Sequence, residues 1–347
     1  MDVRLSPEQR ALRDSAVQLV DRLAPSTVGA LDDGERKGKL EAAVAASGWR
    51  ELRVAADGDQ PLASGVEVAI VAEELGRRLA DAPFLGPTLA AELRRLTGAS
   101  PATTAETVAL TADLSALAVG TDGAHPTGTV AIDALGASSA LVLLAGGDGH
   151  RLGTVDLTTS AEPVDLTRPS VAPDPSATVA PLADQARALD PDALSAWTAL
   201  GLATTCADLV GTMQGAVTLA TTYAADRRQY GVPVGSFQAV QHLLADAFVA
   251  AEGSRSVALH AAWAVDALPA EGALAAAAVA KAYCARGARN VCETAIQVHG
   301  GIGNTWECLA HVHLRRALLS SEVLGGVGAS LARVLEHHGL GGDRGLR

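Results

Sequence analysis

Apolar positions along this chain change their spacing twice. Up to about residue 98 they recur every three or four positions, which is the spacing of one buried helix face. Ser6-Pro7-Glu8-Gln9 has the form of a helix start, with Ser as the cap, Pro at the first helical position and Gln placed to complete a capping box. Leu12, Ala16, Leu19, Val20 and Leu23 then share a face until Pro25. Further helices are expected over about 39–46, closing at Ser47-Gly48, and over 65–79, with Val68, Val71, Ala72 and Leu75 inward. A fourth is expected after Pro87. Between 101 and 191 the apolar runs shorten to 108–110, 117–119, 130–132 and 140–145, punctuated by Gly, Asp, Thr and Pro as in strands joined by turns. Six prolines from Pro163 to Pro191 exclude a helix there and predict an extended crossing segment.

From Asp192 the helical spacing returns. Residues 192–226 carry so little charge that burial on most sides is expected, as in a bundle core or a subunit interface. Gly231-Val-Pro-Val-Gly breaks this run, and helices are expected over 237–267, 272–300 and 304–324. The fold class is therefore α+β, with an N-terminal helical domain (1–100), a reduced central β-domain (101–191) and a C-terminal four-helix bundle (192–347).

The chain has 347 residues, which suits two or three domains at roughly 100–200 residues each. Its net charge of −12 argues against a nucleic-acid or anionic-membrane partner, either of which needs a basic face. No run of eighteen strictly apolar residues occurs, and Met1-Asp-Val-Arg-Leu-Ser lacks both a basic region and an apolar core of a secretory signal. The four cysteines form no C-x-x-C pair, so neither a disulfide framework nor a zinc site is expected. His311 and His313, two apart on a helix, face different ways, and His337-His338 falls in an expected tail, so no metal is expected. These features suit a cytoplasmic protein.

The chemistry concentrates late in the chain. Arg227-Arg-Gln-Tyr-Gly-Val-Pro-Val-Gly-Ser-Phe-Gln-Ala-Val-Gln-His-Leu-Leu-Ala-Asp resembles the helix–loop–helix signature of the acyl-CoA dehydrogenase family. Gln297-Val-His-Gly-Gly-Ile-Gly-Asn-Thr-Trp-Glu, followed by His313-Leu-Arg-Arg-Ala, resembles its second hallmark. Gly48-Trp49 and the stretch from Glu73-Glu74-Leu75-Gly76-Arg77 to Pro83-Phe84-Leu85 look like its first domain. The resemblance implies FAD as cofactor and α,β-dehydrogenation of an acyl-CoA thioester. It assigns contacts with FAD, held mainly by a neighbouring subunit, to Arg227, Tyr230, Phe237, Gln238, Gln297, Gly300 and Gly301. The types suit the task. A guanidinium binds a pyrophosphate bidentately, and glycines let the backbone approach it.

Two family features are missing. The base that removes the α-proton is commonly a Glu just beyond the last long helix, and a gapless count puts Leu324 there. Other members place it on the long helix before the Arg, where Gly201 stands and no Asp or Glu occurs from 193 to 207. Glu322 is a weak substitute, since two positions on a helix turn it away from Leu324 by about 200°. Glu307 is expected to be structural or close to the cofactor. The flavin-holding T-E-P-x-x-G-S-D-like loop of the β-domain is reduced to a trace, Leu110-Thr-Ala-Asp113, and the late K-x-W-I-T-like strand is unrecognisable. The resemblance thus implies half of an FAD site, completed by a second family member that brings the Glu, in a hetero-oligomer such as a heterotetramer. Shortened paired subunits of this kind occur in actinobacterial sterol side-chain degradation, which implies a bulky acyl-CoA. A homo-oligomeric flavoenzyme with a relocated base or different chemistry, and a flavin-free scaffold, are the alternatives.

Overall fold

The computed structural model describes residues 4–56, 58–146, 149–158 and 164–340. Its N-terminal helices are α1 (Pro7–Leu23), α2 (Gly34–Ala46), α3 (Gly65–Arg77) and α4 (Leu85–Thr97). The capping box forms as expected: Gln9 N donates to Ser6 Oγ at 3.1 Å and Ser6 N donates to Gln9 Oε1 at 3.0 Å. A second box, Ser64 with Glu67, opens α3. α2 begins earlier than its apolar spacing suggests, because Asp33 accepts from the N–H groups of Glu35 and Arg36.

The central sheet comprises β1 (Glu106–Thr111), β2 (Val119–Gly120), β3 (Thr129–Ala131), β4 (Ser139–Gly146), β5 (Gly149–Asp156) and β6 (Ala180–Pro181). Its order is β3-β1-β4-β5-β6, with β2 beside β4. The expected strands are present, and β5 is an addition. Its inward residues Leu152 and Val155 are too few to stand out in sequence, yet it pairs antiparallel with the whole of β4, from Ser139↔Asp156 to Gly146↔Gly149. Residues 164–190 contain no helix, in line with their prolines, while Pro163 lies outside the described residues.

The C-terminal part contains α5 (Pro191–Asp226), a hairpin of β7 (Arg228–Gln229) and β8 (Val232–Pro233), α6 (Gln238–Ala267), α7 (Ala270–His299), α8 (Ala310–Glu322) and α9 (Val327–His337). The expected 304–324 helix is shorter. Gly300 adopts φ +65°, a 3-10 turn covers Gly300–Asn304, and α8 starts only at Ala310. Nor is His337 in a tail, since it ends α9, a short helix that follows the turn at Gly325 and Gly326. α5 is long and apolar enough to cross a membrane, as is the α8–α9 stretch, but 72% of the α5 window is buried inside this fold. It is the axis of the bundle. It crosses α3 so closely that a Cβ on Gly211 would lie 1.8 Å from the carbonyl oxygen of Glu73. One apolar core runs from Ala16 and Val68 through Leu89 and Leu141 to Trp197, Ala288 and Leu324, so the three zones share it.

Candidate functional site

Consecutive antiparallel helices put the end of α5, the start of α6 and the end of α7 at one end of the bundle. There Tyr223 stacks on His299, with ring centroids 4.4 Å apart, joining the turn before Arg227 to the turn after Gln297. Between α5 and α6 the hairpin turns through Tyr230 (φ +51°) and Gly231 (φ +83°), both in the left-handed region that tight hairpins need. The seven residues assigned by the resemblance, Arg227, Tyr230, Phe237, Gln238, Gln297, Gly300 and Gly301, all lie on this end and all are exposed, Tyr230 by 94%. Tyr230 meets Phe237 edge-on at 6.4 Å. Among the described residues the Arg227 guanidinium has no hydrogen-bond or ion-pair partner. Nothing stands within 4 Å of where a Cβ on Gly300 or Gly301 would be. An uncommitted guanidinium on the same end of the bundle as bare, open backbone meets the needs of a pyrophosphate-bearing dinucleotide, so these residues fit the outer part of an FAD site.

The interior is arranged differently. Gly201 on α5 and Leu324 after α8 are far apart in sequence, but a Cβ on Gly201 would lie 2.2 Å from Leu324 Cδ1 and 3.4 Å from Leu89 Cδ2. The two places where a base is expected are therefore one place, and hydrocarbon fills it. Leu324 is 1% exposed and sits at φ +60°, held by Leu324 N donating to the Leu114 carbonyl at 2.7 Å and by Arg333 Nη1 donating to the Leu324 carbonyl at 2.8 Å. Leu114 belongs to the turn that follows β1, next to the Leu110–Asp113 trace. In that turn Asp113 Oδ1 accepts from Thr111 Oγ1 (2.6 Å), Ser115 Oγ (2.8 Å) and Ser115 N (3.1 Å), and these bonds hold its carboxyl down at about 2. The turn is closed on itself and tied to the Leu324 segment. Glu322 ends α8 with its carboxylate against Gly326, and Glu307 is exposed, while the atoms that a Cβ on Gly201 would meet first are all carbons of Leu324 and Leu89.

Beside it lies an ionic network that sequence reasoning missed. Buried Asp208 of α5 accepts from Arg316 Nη2 at 2.6 Å, Arg316 Nε at 2.9 Å and Ser320 Oγ at 2.7 Å, and Arg168 Nη1 stands 3.3 Å away. Burial alone would raise the Asp208 carboxyl, but the two guanidinium groups outweigh it and hold it ionised. Arg316 also donates to the Ala80 carbonyl (3.0 Å) and to Thr167 Oγ1 (2.9 Å), so α8, α5, the crossing segment and the N-terminal helices meet on one side chain. The gap left among Asp133, Arg168, Thr204, Asp208 and Arg316 is ≈ 10 Å³, room for about one water. Lys281, fully buried on α7, donates from Nζ to the carbonyls of Ser320 (2.5 Å) and Val323 (2.8 Å), fixing the α8 end against the Leu324 segment. Burial draws its ammonium down to about 8. The available signals were an Asp in the middle of an apolar helix and a lone Lys in an Ala-rich one.

Comparison with known proteins agrees with this architecture. The family described as Acyl-CoA dehydrogenase, C-terminal domain, matches residues 198–337. Acyl-CoA dehydrogenase IpdE2 of Mycolicibacterium smegmatis is 32% identical over 265 residues, covering 75% of this chain and 74% of the relative. Among solved structures, a variant of the Tcur3481–Tcur3483 steroid ACAD superposes with a TM-score of 0.79 at 24% identity, over 96% of this chain and 98% of the other. The ChsE4–ChsE5 complex from Mycobacterium tuberculosis gives 0.76 at 20% identity, over 98% and 99%. At such identities the superpositions establish the fold, while the relative, matched over most of its length, establishes the kinship. The chain belongs to the acyl-CoA dehydrogenase family.

Proposed function

We propose that this chain is the non-catalytic subunit of a cytoplasmic, hetero-oligomeric acyl-CoA dehydrogenase. The observation that carries this reading is the contact of Leu324 with Gly201, which leaves neither usual base position a group able to take a proton. Acyl-CoA dehydrogenation needs a carboxylate at the α-carbon, and a second family member carrying a Glu would supply it. FAD, when bound, accepts the hydride from the β-carbon. This chain's part is to bind. Arg227 offers a fixed positive charge to the pyrophosphate, Gly300 and Gly301 open backbone to it, Gln238 and Gln297 offer amide groups, and Tyr230 and Phe237 offer aromatic faces. Exposure of all seven residues supports a role across a subunit boundary. Two structural neighbours support pairing, one being described as a complex of two chains and the other as a steroid ACAD with two named components. A bulky, sterol-derived acyl-CoA is the substrate class proposed on that likeness.

The test is to purify the chain alone and together with a Glu-bearing family member, then measure flavin absorbance and acyl-CoA oxidation. Colourless and inactive alone but yellow and active together is the expected result. Activity of the chain alone would overturn the reading, and absence of flavin from both preparations would favour a scaffold. In the co-purified complex, Arg227→Ala should lower flavin retention about tenfold or more, since a charged hydrogen bond contributes ~1.5–3 kcal/mol. Unchanged retention would remove Arg227 from the site.

A further inference from the structure

The start of α4 has no cap of its own. Phe84 stands at the cap position, where its side chain offers no acceptor to the first N–H groups of the helix. The sheet supplies one. Asp133, just beyond β3 and at φ +49°, accepts through Oδ2 from Phe84 N at 2.7 Å and from Gly86 N at 3.4 Å. Helix and sheet are in close contact here, since a Cβ on Gly86 would lie 2.7 Å from the Ile132 carbonyl oxygen. The Asp133 carboxyl is thus a joint between the N-terminal helices and the sheet.

Its other oxygen, Oδ1, is buried and has no hydrogen-bond partner among the described residues. Asp133 lines the ≈ 10 Å³ gap together with Arg168, Thr204, Asp208 and Arg316. Both guanidinium groups are committed to other carboxyls. Arg168 Nε donates to Asp165 Oδ2 at 3.1 Å and its Nη1 lies 3.3 Å from Asp208, which also takes two bonds from Arg316. Asp133, Asp165, Asp208, Arg168 and Arg316 are each at most 5% exposed, so three buried carboxyls share two positive charges. The charges around them leave that imbalance in place. Asp81, ahead of α4, is paired with Arg36, and Glu106 of β1 with Arg94 of α4. Lys281 and Glu322, both bearing on this cluster, offset each other, and His313, drawn down to about 3, is neutral. A buried carboxylate without a counter-charge is far costlier than the neutral acid. Accordingly, burial raises the Asp133 carboxyl and Arg168, the Phe84 N–H and Arg316 do not reverse it, whereas at Asp208 the same two arginines do.

We propose that Asp133 is a proton-binding site: its carboxyl is held as the neutral acid, Oδ1–H donates to one water in the gap, and the docking of the N-terminal helices on the sheet is thereby coupled to pH. The neutral acid still accepts through Oδ2 from the start of α4, and its proton removes the surplus negative charge. A native carboxyl raised above its unfolded value of ~3.9 gives a contribution that is complete below ~3.9 and is lost as pH rises towards the native value.

The experiment records infrared spectra of the native full-length chain and of Asp133→Asn at about pH 6, roughly two units above an ordinary Asp carboxyl. A protonated-carboxyl C=O band is expected in the unmutated chain and is expected to be missing from Asp133→Asn. Asn keeps an acceptor for α4 and a donor for the gap, so it copies the neutral acid but cannot ionise. The urea midpoint of the unmutated chain should therefore fall relative to that of Asp133→Asn as pH rises from about 4 to about 6. No band in the unmutated chain, a band that survives Asp133→Asn, or a midpoint that rises relative to the variant would overturn the proposal. Glu73→Gln decides the matter where Asp133→Asn does not fold. Glu73 is the other carboxyl that burial raises among the described residues. The band should persist in Glu73→Gln, and its loss there would equally overturn the assignment to Asp133.

Discussion

Two regions of this protein stand where a flavoenzyme's chemistry ordinarily resides, and they have opposite character. At the end of the bundle, Arg227, Gln238, Gln297 and Gly300-Gly301 are exposed, and Arg227 has no side-chain partner among the described residues. In the interior, Gly201, Leu324 and Leu89 close on one another, and the adjoining charges of Asp208, Arg168 and Arg316 pair off. Groups kept exposed and unpaired bring the fold no stability, whereas tightly packed interior groups can do no chemistry. On the proposed function, the contrast is that of a chain that keeps the binding half of a site while its catalytic half becomes core.

The strongest way to break the comparison is to exchange what each arginine is worth. Arg316→Ala removes one of the two cations facing Asp208 and leaves a buried carboxylate short of partners, which should cost ~3–5 kcal/mol in urea unfolding. Arg227→Ala should change stability by less than ~0.5 kcal/mol, as expected of an exposed side chain without contacts. Equal losses in the two variants would erase the distinction between the regions.

An effect smaller at each step of pH comes from acid. His313 is buried on α8, and burial, with Arg316 nearby, draws it down to about 3. The unfolded chain takes up that proton near the ordinary value of ~6.5, so this contribution is complete above ~6.5 and fades as pH falls towards about 3. Stability should therefore drop by up to ~1.4 kcal/mol per pH unit on acidification below ~6.5. His313→Gln should flatten that part of the curve, measured as the urea midpoint at successive pH values. An unchanged slope would show that His313 does not resist protonation.

Sequence made the two regions legible to different degrees. That the residues assigned by the resemblance share one end was readable because they lie in contiguous motifs, 227–238 and 297–307, whose residues stay together whatever surrounds them. For the interior, sequence showed only the vacancy. That Gly201 and Leu324 occupy each other's space, or that the Leu114 carbonyl beside the Leu110–Asp113 trace accepts from Leu324 N, depends on contacts between distant segments. The Asp208 network was hidden for the same reason, its members being spread from Ala80 to Ser320. Helix limits failed where capping overrode apolar spacing, as Asp33 does for α2.

The finest test addresses the closure itself. If Leu324 fills the space above Gly201, a methyl group added at Gly201 meets Leu324 Cδ1 first, at 2.2 Å, and Leu89 only at ordinary contact distance. Gly201→Ala alone should then destabilise by about 1 kcal/mol, the low end for overpacking because the obstructing atom ends a flexible side chain. Leu324→Ala alone should cost more, ~2–4 kcal/mol, through the cavity it leaves. With both changes the added methyl enters the space vacated by leucine, so the double variant should be more stable than the sum of the single effects predicts by ~1 kcal/mol. Strict additivity in the double-mutant cycle would show that the two positions do not share that space, and the argument for a base site closed by hydrocarbon would fail with it.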